Sequence, residues 1–199
     1  MRLSCGTPPS TFVESPQWRP LNEPSPTQSA RRGLVVGLVF GILTNSLWHT
    51  AGVTFSEQLS SFRGFSAFAT FLVSLVGLLA LHELVHALVH PGFGTTRQTV
   101  IGCSLKPLLL YAAYTGTMGR NRFVAVLLAP LLVLSVLPLL TFVLGMYSNP
   151  NPLVVTLSVV NAAASGVDLF GVVLLLSQVP SSTLVQNDGW QTHWTHGDA

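Results

Sequence analysis

The chain has 199 residues, 49% of them hydrophobic and only 8% charged, with a net charge of +2. Soluble domains carry about a quarter charged residues. Together with a mean hydropathy of +0.56, this excludes a water-soluble globule and makes lipid the solvent. No basic run suits nucleic acid. The two cysteines, Cys5 and Cys103, have neither zinc-ribbon spacing nor the density of a secreted disulfide scaffold.

Residues 1–30 hold six of the thirteen prolines and show no apolar periodicity, so the sequence predicts a disordered tail there. Arg31 and Arg32 then precede the first apolar run, 33–55. It is too long for the h-region of a signal peptide and has no small-residue cleavage site behind it. A membrane span needs about 20 apolar residues, and 33–55, 66–90, 123–147 and 153–179 all qualify. An even number of spans puts both termini on one side. Arg2, Arg19, Arg31 and Arg32 in the tail and Arg97, Lys106, Arg120 and Arg122 in the second loop stand against Arg63 alone on the other side. The excess of basic residues makes that side cytoplasmic, so both termini are expected there, and both cysteines are expected to be cytoplasmic and reduced.

Gly33, Gly37 and Gly41 form a four-residue glycine period in the first span, which admits a closely packed helix. Intramolecular packing is the plainer reading, and a homo-oligomer face is the alternative. Trp48 and His49 fall near the outer end of this span, where amphipathic rings favour the interface. Pro130 and Pro138 should kink the third span, which is tolerable where neighbours satisfy the freed carbonyls. Between the second and third spans, 98–104 and 108–114 read as short strands joined at Lys106-Pro107. The expected architecture is an all-α integral membrane protein of about four transmembrane helices with a short cytoplasmic-face β-hairpin between helices 2 and 3. Residues 31–180 form its membrane domain, and 181–199 a flexible cytoplasmic tail in which His193 and His196 are solvated.

The second span contains His82-Glu83-Leu84-Val85-His86. Residues four apart share a helix face, so His82 and His86 can both offer a ring nitrogen to one metal ion while Glu83 beside them handles a proton. Ionisable groups in a span cost about 2.5–3.5 kcal/mol on insertion scales, which weakens any reading without a metal. Zinc needs a third protein ligand and leaves its fourth position open. Within the spans the only acids are Glu83 and Asp168. At about 1.5 Å per residue, His82 lies about 24 Å below Ser66 and Asp168 about 23 Å below Leu153. Their equal depth allows His82, His86 and Asp168 to meet on one Zn2+ per chain. Asn161, almost two turns before Asp168, shares its face. It serves either a substrate or oxyanion hydrogen bond or interhelical bonding. His90 stands about 12 Å along the axis from His82 and is a poor ligand for the same ion.

These residues resemble a family. The His82–His86 helix, the run from Arg120 to Pro130 entering the third span and the Ser165-Gly-Val-Asp168 segment are similar to the zincin peptidases of the DUF3267 family. That family is a set of small relatives of the site-2 protease class of intramembrane metalloproteases. The resemblance covers roughly residues 70–175. It implies His82, His86 and Asp168 as ligands, Glu83 as base and a zinc hydrolase acting on membrane-protein or peptide substrates; the expected location is a bacterial inner membrane. In site-2 proteases the last ligand lies in an Asn- and Pro-rich Asp-Gly motif; here Asn161 precedes Asp168, and the prolines and following glycine are missing. A non-catalytic metal-binding membrane protein or a metal transporter is the competing reading. A transporter would need polar residues across the whole bilayer, and the outer halves of the later spans offer almost none.

Overall fold

A computed structural model describes residues 1–60, 62–105 and 108–196. Helix α1 (Pro26–Thr50) begins at Ser25, whose side chain accepts from the Gln28 backbone N–H while Gln28 reaches back to the Ser25 backbone, with Pro26 in the first turn. This capping box starts the helix seven residues ahead of the apolar run. A short helix α2 (Phe55–Ser60) leads to α3 (Gly64–Val89). The third span is α4 (Arg120–Leu131), a π-helical turn (Leu132–Val136) and α5 (Leu137–Val143), and the fourth is α6 (Pro152–Ala164) followed by α7 (Gly166–Gln178). Among the described residues, four helical stretches are long and apolar enough to cross a membrane. Together with the apolar side chains they leave outward-facing, such as Leu34, Ile42, Phe65, Val73 and Val173, they mark a membrane protein.

The glycine period of α1 is used inside the chain. Gly33, Gly37 and Gly41 are buried. A Cβ on Gly37 would overlap the Ala163 carbonyl oxygen, one on Gly33 would come within 2.8 Å of the Val167 Cα, and one on Gly41 within 3.1 Å of the Ala163 Cβ. Helices α6 and α7 therefore occupy this face. Trp48 departs from its expected interfacial position: it is fully buried, and its indole N–H donates to Ser158 Oγ at 2.7 Å. A buried ring of this kind needs such a partner.

The all-α expectation is overturned by two sheets. The first has the order β1-β3-β4: β1 (Arg2–Cys5) pairs parallel with β3 (Thr99–Leu105), which pairs antiparallel with β4 (Leu108–Tyr114). In the second sheet, β2 (Arg19–Pro20), β5 (Met118–Gly119), β6 (Thr183–Asp188) and β7 (Gln191–His196) lie in the order β2-β7-β6-β5. The hairpin expected at 98–104 and 108–114 is present within a residue, running from Thr99↔Tyr114 to Leu105↔Leu108. Its expected Lys106-Pro107 turn lies outside the described residues.

Both segments expected as tails carry strands. Residues 1–30 supply β1 and β2, and the stretch after 180 supplies the β6–β7 hairpin, turning through Gly189 at φ +58°. Backbone pairing with a preformed hairpin satisfies polar groups that these segments could not satisfy alone. Glu23 fastens the second sheet, accepting from the Thr192 backbone N–H at 2.9 Å and from Gln191 at 3.0 Å; burial, only partly offset by those bonds, pushes its carboxyl up. His193, expected to be solvated, stacks on Phe12 at 4.2 Å between ring centres.

Both sheets lie at the end of the bundle where α3 and α7 finish and α4 begins. Arginines from α4 bind the exposed helix ends there, as cations at helix C-termini do. Arg120 donates to the Val179 carbonyl at 2.7 Å, and Arg122 to those of Val89 and His90 at 3.0 Å each.

Candidate metal centre

His82 and His86 stand one turn apart on α3, both buried, and point towards α7. Asp168 meets them from the first turn of α7, where the positive end of the helix favours a carboxylate. His82 Nε2 is 3.2 Å from Asp168 Oδ2 and His86 Nε2 is 3.5 Å from Asp168 Oδ1. One ligand atom from each of the three residues lies within 4.8 Å of the others.

The other nitrogen of each imidazole is already engaged. His82 Nδ1 pairs with Asn161 Oδ1 at 2.9 Å, and His86 Nδ1 with the Val126 carbonyl at 2.8 Å. An Nδ1–H donated to oxygen leaves the Nε2 lone pair free and aimed, as metal-ligating histidines require. Two imidazole nitrogens and a carboxylate oxygen this close together are three protein donors of the kind a catalytic zinc site uses, with a fourth position left open. The donor set therefore fits zinc.

Asn161 takes the interhelical alternative. It is fully buried. Its amide Nδ2 donates to the Pro130 carbonyl at 3.0 Å and to Ser135 Oγ at 2.9 Å, which fixes the Oδ1 end against His82. Both ends of its amide are thus engaged between helices. Ser135 passes the support on, donating to the Ser158 carbonyl at 2.6 Å.

His86 is held by a consequence of Pro130. Proline has no N–H, so the carbonyl four residues earlier loses its helical donor. That carbonyl belongs to Val126, the one that His86 Nδ1 binds. The proline expected to kink the span thus frees the atom that orients a ligand. Pro130→Ala restores a competing helical N–H and is expected to weaken zinc binding by about 10–100-fold, the usual cost of losing an outer-shell partner. Competition against a chromophoric chelator checks this, with thermal stability unchanged or raised.

Glu83 is half-buried and borders a cavity of about 480 Å³ together with His82, His86 and Asp168. Strand β4 forms one wall, and the Ala112 backbone N–H is directed at the Glu83 carboxylate. Asn187 and Trp190, at the turn of the β6–β7 hairpin, line it as well. The first wall comes from the hairpin expected between the second and third spans, whereas the second, from the segment expected as a flexible tail, was not expected at this site. The Asn187-Asp188-Gly189 run is a hairpin signal, whereas nothing local reveals that a backbone carbonyl at 126 or an N–H at 112 faces the site.

His90 lines the same cavity but joins no ligand group. It is 2% exposed, 5.4 Å from the Tyr114 ring, and its Nδ1 has no partner.

No curated protein and no solved structure shows detectable similarity to the chain. The comparison that does succeed covers both helices bearing the ligand group: residues 75–184, more than half of the chain, match the model of DUF3267, described as "Putative zincin peptidase", and the chain belongs to that family.

Proposed function

We propose that the protein is an intramembrane zinc metallopeptidase that cleaves membrane-associated peptides near the cytoplasmic face. The observation that carries the reading is the convergence of His82, His86 and Asp168 beside Glu83 in one cavity, in a member of a zincin family. His82, His86 and Asp168 hold the zinc. When bound, zinc supplies Lewis acidity, polarising a scissile carbonyl and lowering the pKa of water towards neutrality.

The chain's own groups do the rest. Glu83 takes the proton of the attacking water and returns it to the leaving amine. Asn161 and the Val126 carbonyl hold the two imidazoles in their ligating tautomers. A helical substrate hides its peptide bonds, so it must be extended to be cut. Among the described residues strand β4 is paired on one edge only, and it lies along the cavity. An extended segment added to it presents a peptide bond beside Glu83. The strands at this end belong to the basic, cytoplasmic side, so water enters from the cytoplasm while the bilayer surrounds the spans.

Zinc per purified chain and cleavage of a membrane-peptide substrate, measured for the wild type and Glu83→Gln, test the proposal. The expected variant keeps its zinc and loses about 10²–10⁴-fold in cleavage. Unchanged cleavage, or a wild type that retains no zinc, overturns it.

A further inference from the structure

We propose that Cys5 and Cys103 are a reversible dithiol–disulfide pair, a redox modification site that clamps the N-terminal strand to the sheet bordering the cavity, with a low-molecular-weight disulfide as oxidising co-reactant. They are the only two cysteines of the chain and lie 98 residues apart in sequence. In the parallel pairing of β1 with β3, Cys5 stands directly opposite Cys103. Opposed residues project to the same face of a sheet. The strand spacing of about 4.8 Å falls inside the roughly 4.4–6.8 Å between Cα atoms that a disulfide spans. The two Sγ atoms are 3.6 Å apart, so a bond needs side-chain rotation and no movement of the strands.

Access and proton placement give the order of steps. Cys5 is exposed and Cys103 partly so. The Cys103 thiol donates to Cys5 Sγ, and this bond pushes the Cys103 thiol up. Cys5, as thiolate, attacks one sulfur of the small disulfide, forming a mixed disulfide and releasing one small thiol. Cys103 then loses its proton and attacks the Cys5 sulfur, forming the Cys5–Cys103 bond and expelling the second small thiol. Two electrons and two protons pass from the pair to the small disulfide, and excess small thiol reverses both steps.

The site lies where a clamp has an effect. β1 is an outer strand held along four residue pairs, after which the Gly6 N–H donates once more, to the Cys103 carbonyl at 2.8 Å. Such short edges fray. Across β3, Cys103 is opposite Leu110 of β4, the strand whose other edge borders the cavity. The bond therefore fixes the sheet from the side opposite the metal centre.

The test uses the full chain in detergent, reduced, freed of reductant and titrated with oxidised glutathione. The expected wild-type product is a monomer with no free thiol, a mass lower by about 2 Da and a Cys5–Cys103 linked peptide. Amide exchange over residues 3–5 slows at least about tenfold. Cys5→Ser and Cys103→Ser each gain one glutathione and show no loss of mass. A wild type that carries glutathione on both cysteines, forms linked dimers, keeps both thiols free, or closes the bond without slower exchange overturns the proposal.

Discussion

Asp168→Ala is expected to yield a folded protein with little or no zinc and no peptide cleavage. The carboxylate lies against both His82 Nε2 and His86 Nε2, and its side chain is only 17% exposed. A charge so placed within a span is costly unless a cation meets it. Alanine removes that cost together with the third ligand, so the helices stay packed while the site is left with two imidazoles. Zinc affinity should fall by more than the roughly 10–100-fold typical of outer-shell substitutions. Metal content after dialysis, with size-exclusion elution as the control for folding, checks the result. Zinc retained at one per chain would remove Asp168 from the ligand set.

The second large effect is expected two residues earlier. In Gly166→Val the new side chain meets the Gly33 carbonyl and the Gly37 backbone, with the Gly37 Cα at 2.6 Å from the Cβ position. Backbone atoms cannot rotate away, so α1 and α7 must separate. Overpacking commonly costs 1–3 kcal/mol and occasionally more; with two helix backbones in contact, a loss of about 3 kcal/mol or more is expected. Asp168 lies in the same turn of α7 and shifts with it, so zinc affinity falls as well. Gly77→Ala in α3 is the contrasting substitution. A Cβ there meets nothing within 4 Å, and replacing a mid-helix glycine should raise stability by about 0.5–1 kcal/mol. Thermal unfolding of the two variants beside the wild type separates close packing from a general intolerance of substitution.

These expectations differ in how far they were legible along the chain. His82, Glu83 and His86 declare themselves because a helix repeats every 3.6 residues, and ionisable residues stand out in a segment with hardly any others. Asp168 followed from depth alone. The role of Asn161 was not legible: the same face placement suits a group that touches substrate and one that holds His82, and the choice depends on Ser135 and the Pro130 carbonyl. Trp48 was misplaced for a similar reason. Its position near a helix end suggested the interface, while Ser158, 110 residues away, gives its N–H a buried partner. Pro130 was legible as a kink, but that its freed carbonyl meets His86 was not.

By itself the sequence determined the solvent, the four spans, the basic side and the His-Glu-His helix, because each rests on composition or on a period that a few turns contain. Only the tertiary structure decided the two sheets and the full centre. β1 and β2 are four and two residues long, too short to show a pattern. Their partners lie about a hundred or more residues away in sequence, and a strand becomes a strand only when another backbone accepts its hydrogen bonds. The same physics governs the ligands, since the groups that orient them are carbonyls and amides on other helices.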